Sequence, residues 1–203
     1  MSELADRLRA LPSFPEDMPG LDPDSVPEDP AELFVAWLED EIASGARQPH
    51  AMTFQTLDGG APVGRTLILK DLDERGLHVS THRGSRKGER LAADPRAAMT
   101  FFWRESGRQV QVGGEVVALD EATSQADWAS RPSYDGSPNP DWQVYALRSR
   151  PGTSSPSRGW IASTCASATG ASAAPGRTSA SPPRRADRPP PHRSRTKRRC
   201  GRL

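Results

Sequence analysis

Residues 51–82, AMTFQTLDGGAPVGRTLILKDLDERGLHVSTH, decide the fold class of this 203-residue chain. Apolar and polar side chains alternate at the start of the stretch, which is the period of a half-buried β-strand. Asp58-Gly59-Gly60 then predicts a hairpin turn into a second strand at 63–70. A further turn at Asp73-Glu74-Arg75-Gly76 leads to a third strand at 77–82. The stretch therefore predicts antiparallel strands joined by tight turns.

Few helices flank these strands. Asp29 is a good N-cap for a helix that has Pro30 at its first position and Gly45 at its end. Further along the chain, the pattern predicts a helix over 85–93, strands over 97–103 and 108–119, and a helix over 121–130. Many short strands with few helices favour a closed antiparallel barrel, because closure removes unpaired strand edges. The predicted fold class is mainly β with flanking helices, a Greek-key-like antiparallel barrel.

Charge divides the chain into two parts. Residues 149–203 hold eleven Arg, one Lys and one acid, whereas the first 148 residues hold fifteen bases and twenty-five acids. The basic part is dominated by Ser, Ala, Pro, Arg, Gly and Thr, and its few large apolar side chains cannot offset chain entropy. We therefore predict an extended arm with at most one short helix at 1–28, a folded domain at 29–148 and a disordered tail at 149–203.

Composition also limits the possible sites and partners. Both cysteines, Cys165 and Cys200, lie in the tail, so neither a disulfide framework nor a cysteine-based metal site is expected in the domain. The chain shows no membrane-length apolar run and no signal peptide, which makes the cytoplasm the expected location. The basic tail also fits nonspecific nucleic-acid binding. It lacks interleaved aromatic side chains that stack on bases, so nucleic acid is not the expected partner.

Three blocks of the domain carry chemistry. Arg65 and Lys70 stand five residues apart on one predicted strand, and a regular strand would point them to opposite faces. Gly84-Ser85-Arg86-Lys87 lies where a strand passes into a helix, and free N–H groups at a helix start attract anions. Gln109 begins a later strand, where its amide can bind the edge of a heterocycle. Each block alone also fits a solvated strand end or a helix cap, but together they favour a phosphorylated cofactor.

The stretch from Ala51 to Pro132 resembles pyridoxamine 5′-phosphate oxidase and its relatives. The resemblance rests on AMTFQTLDGGAPVGRTLILK, GLHVSTHRGSRKGERLAADPRAAMTFFW and RQVQVGGEV. It implies an FMN-binding split β-barrel that works as a homodimer in pyridoxine biosynthesis. The implied FMN contacts are Arg65, Thr66, Leu67, Ile68, Leu69, Lys70, Ser80, Thr81, Ser85, Arg86, Lys87 and Gln109.

The resemblance also assigns more specific roles. The basic residues would hold the FMN phosphate, and Gln109 would approach the flavin from the partner subunit. Lys70 would contact the substrate as well, and Arg131 of Ser130-Arg131-Pro132 would bind the substrate phosphate. The implied reaction is hydride transfer from an amine or alcohol to FMN, followed by reoxidation by O₂. The chain thus resembles an oxidase of pyridoxamine or pyridoxine 5′-phosphate, with no catalytic residue assigned and no metal expected.

Two acids depart from the family pattern. Asp127 stands where the family has a Tyr, and Asp135 stands where it has a Ser. A carboxylate at either position would repel a substrate phosphate. Ser80 also replaces the usual Tyr of a flavin-contacting pair. The departures favour a second hypothesis, in which a related flavin enzyme acts on another small molecule, such as one of secondary metabolism.

A reading-frame shift is an alternative origin for the tail. The family continues with an Arg-x-His-x-Arg motif that this chain lacks after Arg148. If the third base of each codon is read with the first two of the next, Trp160-Ile161 becomes Asp, and the codons that follow can encode Arg-Glu-His-Leu-Arg. A slip near codons 148–150 would therefore restore the motif. A third hypothesis follows, a flavin-binding module inactivated by loss of this motif.

Overall fold

The computed structural model describes residues 2–12, 18, 20–149 and 160–164. The helices are α1 (Glu3–Arg9), α2 (Pro30–Ala43), α3 (Arg86–Ala93) and α4 (Glu121–Ala129), with a 3₁₀ turn at Pro23–Ser25. The strands are β1 (Ala51–Asp58), β2 (Ala61–Ile68), β3 (Asp71–Asp73), β4 (Gly76–His82), β5 (Arg96–Trp103), β6 (Arg108–Ala118), β7 (Trp142–Ser149) and β8 (Trp160–Thr164). None of the described helices combines the length and apolar character that a membrane span requires.

All described strands pair antiparallel in the order β2-β1-β5-β6-β7-β4-β3, with β8 added beside β6. Strands β2 and β3 stand at opposite ends of this order, yet only Leu69 and Lys70 separate them in sequence. The Leu69 N–H donates to the His50 carbonyl at 2.8 Å, and the Lys70 N–H donates to the His78 carbonyl at 2.9 Å. These two residues therefore join the two ends of a rolled sheet, and the predicted split barrel is confirmed.

Strand β6 changes neighbour along its length. One of its edges pairs with β5, whereas the other pairs with β8 over 108–112 and with β7 over 114–118. A side chain at Gly114 would collide with the Arg148 carbonyl, so the close approach of β7 requires glycine at this point. Gly113 and Gly114 thus lie where β6 exchanges β8 for β7 as its neighbour.

The core fills the space between the strands and one face of α2. Phe34 and Trp37 of α2 are buried, and the Phe34 ring centroid lies 4.8 Å from that of Phe101. The strands supply the other large buried side chains, namely Met52, Phe54, Leu77, Val79, Met99, Phe101, Trp103, Val110, Val112, Val116 and Leu147. Burial of this apolar area holds the site-bearing strands in register.

The prediction of disorder for residues 149–203 is wrong for the described part of that segment. Ser149 is the last residue of β7, and Trp160–Thr164 form β8. The Trp160 ring centroid lies 5.7 Å from that of Phe34, so core packing adds to the ladder bonds in ordering β8. Residues 150–159 and 165–203 lie outside the described residues. In the arm, α1 is the one short helix expected, and Met18 is buried rather than part of an exposed extension.

Candidate functional site

A cavity of about 560 Å³ opens beside the connector between β2 and β3. Its lining comes from the end of β2, from Lys70, from β4, from the loop after α4 and from the start of β7. The lining residues are Thr66, Leu67, Ile68, Lys70, Ser80, Ser130, Arg131, Pro132, Ser133 and Trp142. The structure thus brings together predicted site residues that lie as far apart in sequence as Thr66 and Arg131.

Strand β2 ends before Lys70, which corrects the expectation that Arg65 and Lys70 share one regular strand. Arg65 pairs with Phe54 of β1 inside the sheet, whereas Lys70 follows β2 and bonds to the backbone of His78. Their relative directions therefore do not follow strand alternation. Leu69, another predicted contact, has its side chain in the core, and its N–H donates a hydrogen bond to the His50 carbonyl.

Lys70 is paired with an acid at the cavity. Its Nζ lies 3.8 Å from Asp127 Oδ1, and the two side chains are 25% and 14% exposed. The second carboxylate oxygen, Asp127 Oδ2, accepts a hydrogen bond from Trp142 Nε1 at 2.8 Å. Since Trp142 is buried, this bond holds the carboxylate in place next to the lysine.

Arg131 contacts two neighbouring indole rings, whose centroids are 5.3 Å apart, at the cavity wall. Its guanidinium carbon is 4.5 Å from the Trp142 ring centroid and 5.4 Å from that of Trp128. Both distances fall in the range of cation–π attraction. The Arg131 Nε atom is buried and has no hydrogen-bond partner among the described residues. The stacked guanidinium therefore retains N–H donors for an anionic ligand.

Ser80 contributes a second unsatisfied polar atom. Its Oγ is buried and has no hydrogen-bond partner among the described residues, and the residue lines the cavity. A buried hydroxyl without a partner costs about 1–3 kcal/mol, which a ligand that bonds to it would recover. Ser80 and Arg131 thus both present unused hydrogen-bonding capacity at one cavity.

A second group of cations lies at the start of α3. Burial, and then the neighbouring Arg65 guanidinium, lower the pKa of the Lys87 ammonium. In the described ranges, no carboxylate lies within 4.0 Å of the charged nitrogens of Arg65, Arg86 or Lys87. A like-charged pair without a counterion is a favourable place for an anion. We call Arg65 and Lys87 the cationic edge.

Local packing fixes the start of α3 beside that edge. Ser85 caps the helix, because its hydroxyl accepts a hydrogen bond from the Gly88 N–H at 3.3 Å. The Thr81 and Ser85 hydroxyl oxygens are 3.2 Å apart, which ties the end of β4 to the cap. A side chain at Gly88 would collide with the Arg83 backbone, so glycine allows the helix to begin this close to β4.

Seven predicted contacts are not among the described residues that line the Lys70 cavity, namely Arg65, Leu69, Thr81, Ser85, Arg86, Lys87 and Gln109. Arg86 is exposed and lines a separate cavity of about 450 Å³ together with Asp58, Glu89 and Arg90. Gln109 lies on β6 opposite Phe102 and Ser163 and is not among the described residues that line the Lys70 cavity. Asp135 does not face the cavity as expected, because its carboxylate accepts the Ser137 N–H at 2.9 Å within an exposed turn.

Sequence reasoning missed the aromatic part of the site. Trp128 and Trp142 stack on Arg131, and the His82 ring lies 4.9 Å from that of Trp142. Trp142 starts β7 opposite His82 of β4, so strand register brings the two rings together. The sequence signal that comes nearest to this contact is the three-residue spacing between Trp128, in the last turn of α4, and Arg131, just after the helix.

The fold defines a class of protein, the split β-barrels, and the cavity carries two cations, Lys70 and Arg131, in its lining. The sequence profile described as pyridoxamine 5′-phosphate oxidase matches residues 38–152, which is more than half of the chain. The chain therefore belongs to the pyridoxamine 5′-phosphate oxidase family.

Curated relatives support this assignment. A pyridoxine/pyridoxamine 5′-phosphate oxidase from Thermosynechococcus vestitus is 43% identical over 106 residues, covering 52% of this chain and 50% of the relative. The enzyme of the same name from Pseudomonas paraeruginosa is 44% identical over 116 residues, covering 56% and 54%. The one from Mycobacterium leprae is 39% identical over 114 residues, covering 56% and 52%. The chain therefore spans about half the length of these relatives.

Solved structures show the same fold. PhzG from Burkholderia lata 383, in complex with tetrahydrophenazine-1-carboxylic acid, superposes with a TM-score of 0.58 at 25% identity, covering 64% of this chain and 81% of PhzG. A pyridoxamine 5′-phosphate oxidase-related, FMN-binding protein from Nostoc punctiforme superposes with a TM-score of 0.52 at 16% identity, covering 62% and 82%. The second likeness is one of fold alone.

Proposed function

We propose that this chain is an FMN-dependent oxidoreductase that oxidises a small anionic amine or alcohol. When bound, FMN supplies a hydride acceptor that O₂ reoxidises, with release of hydrogen peroxide. The observation that carries the proposal is the meeting of Thr66–Ile68, Lys70, Ser80 and Arg131 around one cavity. Membership in the family and the FMN-binding neighbour of the same fold support this choice of cofactor.

The residues present fit a phosphorylated flavin. The cationic edge has no acidic partner in the described part of the chain, so a phosphate would supply the missing counterion. Arg86 and the Ser85 cap add donors at the start of α3. The orphaned Ser80 hydroxyl offers a hydrogen bond inside the cavity. We assign Arg65, Lys87, Arg86 and Ser85 to the phosphate and Thr66–Ile68 with Ser80 to the rest of the cofactor.

Lys70 and Arg131 are assigned to the substrate. Both line the cavity, and Arg131 is held rigidly by Trp128 and Trp142. A rigid guanidinium binds an anion with little loss of side-chain entropy. Its role is to orient the substrate, and the surrounding apolar wall of Leu67, Ile68 and Pro132 limits water. Gln109 is proposed to reach the flavin from a second subunit of a homodimer.

Pyridoxamine or pyridoxine 5′-phosphate is the first substrate candidate, because the curated relatives carry that activity in their names. A second candidate, another small molecule, is favoured by one observation. The Asp127 carboxylate holds Lys70, one of the two cations available to a substrate phosphate. The complex of PhzG with an aromatic carboxylic acid supports the second candidate, since that protein shares the fold at 25% identity.

Absorption spectroscopy and a peroxide assay test the function. Purified full-length protein is dialysed with and without FMN, and its visible spectrum is recorded before pyridoxamine 5′-phosphate is added. Retained flavin together with hydrogen peroxide production would support the first candidate. Retained flavin without peroxide would leave the second candidate, or a module that binds flavin without turnover. A folded protein, as judged by circular dichroism, that never retains flavin would contradict the proposal.

A further inference from the structure

The charge balance at the Lys70 cavity differs from that expected for a phosphate site. The described lining residues carry two cations, Lys70 and Arg131, and no acid. Asp127 contacts two of these lining residues. Its Oδ1 lies 3.8 Å from Lys70 Nζ, and its Oδ2 accepts a hydrogen bond from Trp142 Nε1 at 2.8 Å. The three groups together leave one net positive charge. A phosphate monoester carries about −1.5 to −2 at neutral pH, whereas a carboxylate carries −1.

Asp127 cannot easily leave when a ligand enters. Rotation of its carboxylate would remove the only acceptor shown for the indole N–H of Trp142, a residue that is 5% exposed. A buried donor without a partner is costly, so the carboxylate stays beside Lys70. A phosphate drawn toward Lys70 would then approach a fixed negative charge. A monoanion is neutralised by the one net positive charge of the site, whereas a dianion would leave an uncompensated negative charge in a partly buried place, which is costly.

Arg131 presents the complementary half of the arrangement. The Arg131 guanidinium borders both rings of the Trp128–Trp142 pair, and no hydrogen bond of the described residues uses its N–H groups, so those that face away from the rings remain for a ligand. A planar fork of two N–H groups matches a carboxylate in bidentate fashion. The wall beside it is apolar through Pro132 and the Trp142 ring, which suits a flat ring next to the anion.

We propose that this cavity selects a planar aromatic carboxylate over a phosphate monoester, and that Asp127 is the residue that sets the preference. The inference rests on the proposed flavin function and names the substrate class for the same cavity. Arg131 pairs with the carboxylate, whereas Asp127 neutralises Lys70 and disfavours a second ligand charge. The proposed step here is binding and orientation, and no bond is formed or broken by these residues.

Two ligands that differ only in their anion test the preference. Isothermal titration calorimetry measures the binding of 1-naphthoate and of 1-naphthyl phosphate to the full-length protein saturated with FMN at pH 7.5. We expect 1-naphthoate to bind at least about tenfold more tightly, because the site lacks the second unpaired cation that a dianion needs. Asp127→Asn keeps an acceptor for the Trp142 N–H and removes the charge. It should therefore reduce the ratio of the 1-naphthoate affinity to the 1-naphthyl phosphate affinity at least about fivefold.

Arg131→Gln is the matched variant for the second half of the site. It should weaken both ligands about equally, while the ratio between them stays governed by Asp127. Tighter binding of 1-naphthyl phosphate to the unaltered protein would overturn the proposal. An unchanged ratio in Asp127→Asn, or failure of both ligands to bind, would overturn it as well.

The test separates this inference from the proposed function. Should FMN fail to bind, the same titrations on the flavin-free protein still report the anion preference at Arg131, checked by the loss of binding in Arg131→Gln. A retained carboxylate preference without flavin would contradict only the oxidoreductase function. Flavin binding together with a preference for 1-naphthyl phosphate would contradict only the inferred carboxylate selectivity. The melting temperature of each variant shows that it is folded.

Discussion

The cationic edge and the Lys70 cavity use the same side-chain chemistry in opposite ways. At the edge, Arg65 and Lys87 lie near one another without a described acidic partner, and the pKa of Lys87 is lowered. At the cavity, Lys70 already has Asp127, and Arg131 is stacked on two indoles. Unpaired cations cost free energy until an anion arrives, whereas paired cations are stable alone and discriminate among ligands. The two regions are therefore suited to a permanent cofactor phosphate and to an exchangeable substrate.

Removing both charges from the edge should have the largest effect. The double variant Arg65→Gln/Lys87→Met loses two charge-assisted contacts, which we expect to weaken FMN about 100-fold, or roughly 3 kcal/mol. Fluorescence quenching of FMN gives the dissociation constant. Arg96→Gln is the matched control, because it removes a cation that is already paired with Asp94 on the surface. If the double variant and Arg96→Gln bound FMN with equal affinity, the proposed difference between the cationic edge and the Lys70 cavity would be contradicted.

At the cavity, removing one member of a pair should lower stability instead. Asp127→Ala leaves Lys70 without its acid and the buried Trp142 N–H without an acceptor. We expect the free energy of unfolding to fall by about 1–3 kcal/mol, measured by urea denaturation. Asp127→Asn retains an acceptor and should lose about half as much. If both variants matched the unaltered protein, the carboxylate would not be held as described.

The pH dependence of stability should separate the two regions further. Because the folded state lowers the Lys87 pKa, the unfolded chain binds the proton more tightly, and stability rises with pH just below the ordinary lysine value of 10.5. Bound FMN should reverse this trend by pairing with the ammonium. Thermal melts of the flavin-free protein between pH 8 and 10.5 measure this rise of stability with pH, with Lys87→Met as the control. If the stability of the flavin-free protein and that of Lys87→Met depended on pH in the same way, the lowered pKa of Lys87 would be contradicted.

A surface pair away from both regions should show the smallest effect. A hydrogen bond from the Arg75 side chain lowers the pKa of Asp73 to about 2. The stabilisation from this hydrogen bond is present above the ordinary aspartate pKa of 3.8 and is lost as the pH falls toward 2. Since both side chains are partly exposed, Arg75→Gln, which leaves the 2.9 Å contact of Asp73 with the buried His78 in place, should lower the free energy of unfolding only slightly at neutral pH. The free energy of unfolding, measured as the pH is lowered, checks both the size of this stabilisation and the pH range over which it is lost.

Local periodicity predicted most of the fold. The alternation in 51–57 and the glycine turn correspond to β1 and its hairpin with β2, and the predicted helices match α2, α3 and α4 within two residues at each end. Hydrophobicity alone would place Ile42 of α2 in the core, yet Ile42 is 53% exposed, while Glu41 is 3% exposed. At 3.6 residues per turn, Glu41 lies about 20° from Phe34 around the helix and Ile42 about 80° away. Geometry thus overrode hydrophobicity at this position.

The site was only partly accessible to prediction. Lys70, Ser80 and Arg131 were identified, and they line one cavity. The Asp127–Trp142 bond joins residues fifteen apart through a loop, and no local pattern encodes such a contact. Strand β8 was missed because its pairing with β6 and the contact of Trp160 with Phe34 are long-range and its composition is low in apolar residues. Whether Gln109 serves a flavin depends on a second subunit and stays a prediction.

A comparison of FMN with riboflavin tests the central claim most directly. The two flavins differ only in the phosphate, so the ratio of their affinities isolates the contribution of the cationic edge. We predict that the unaltered protein binds FMN at least about 100-fold more tightly than riboflavin, and that Arg65→Gln/Lys87→Met reduces the ratio to about threefold. Equal affinities in the unaltered protein, or a preference that survives in the double variant, would contradict the account.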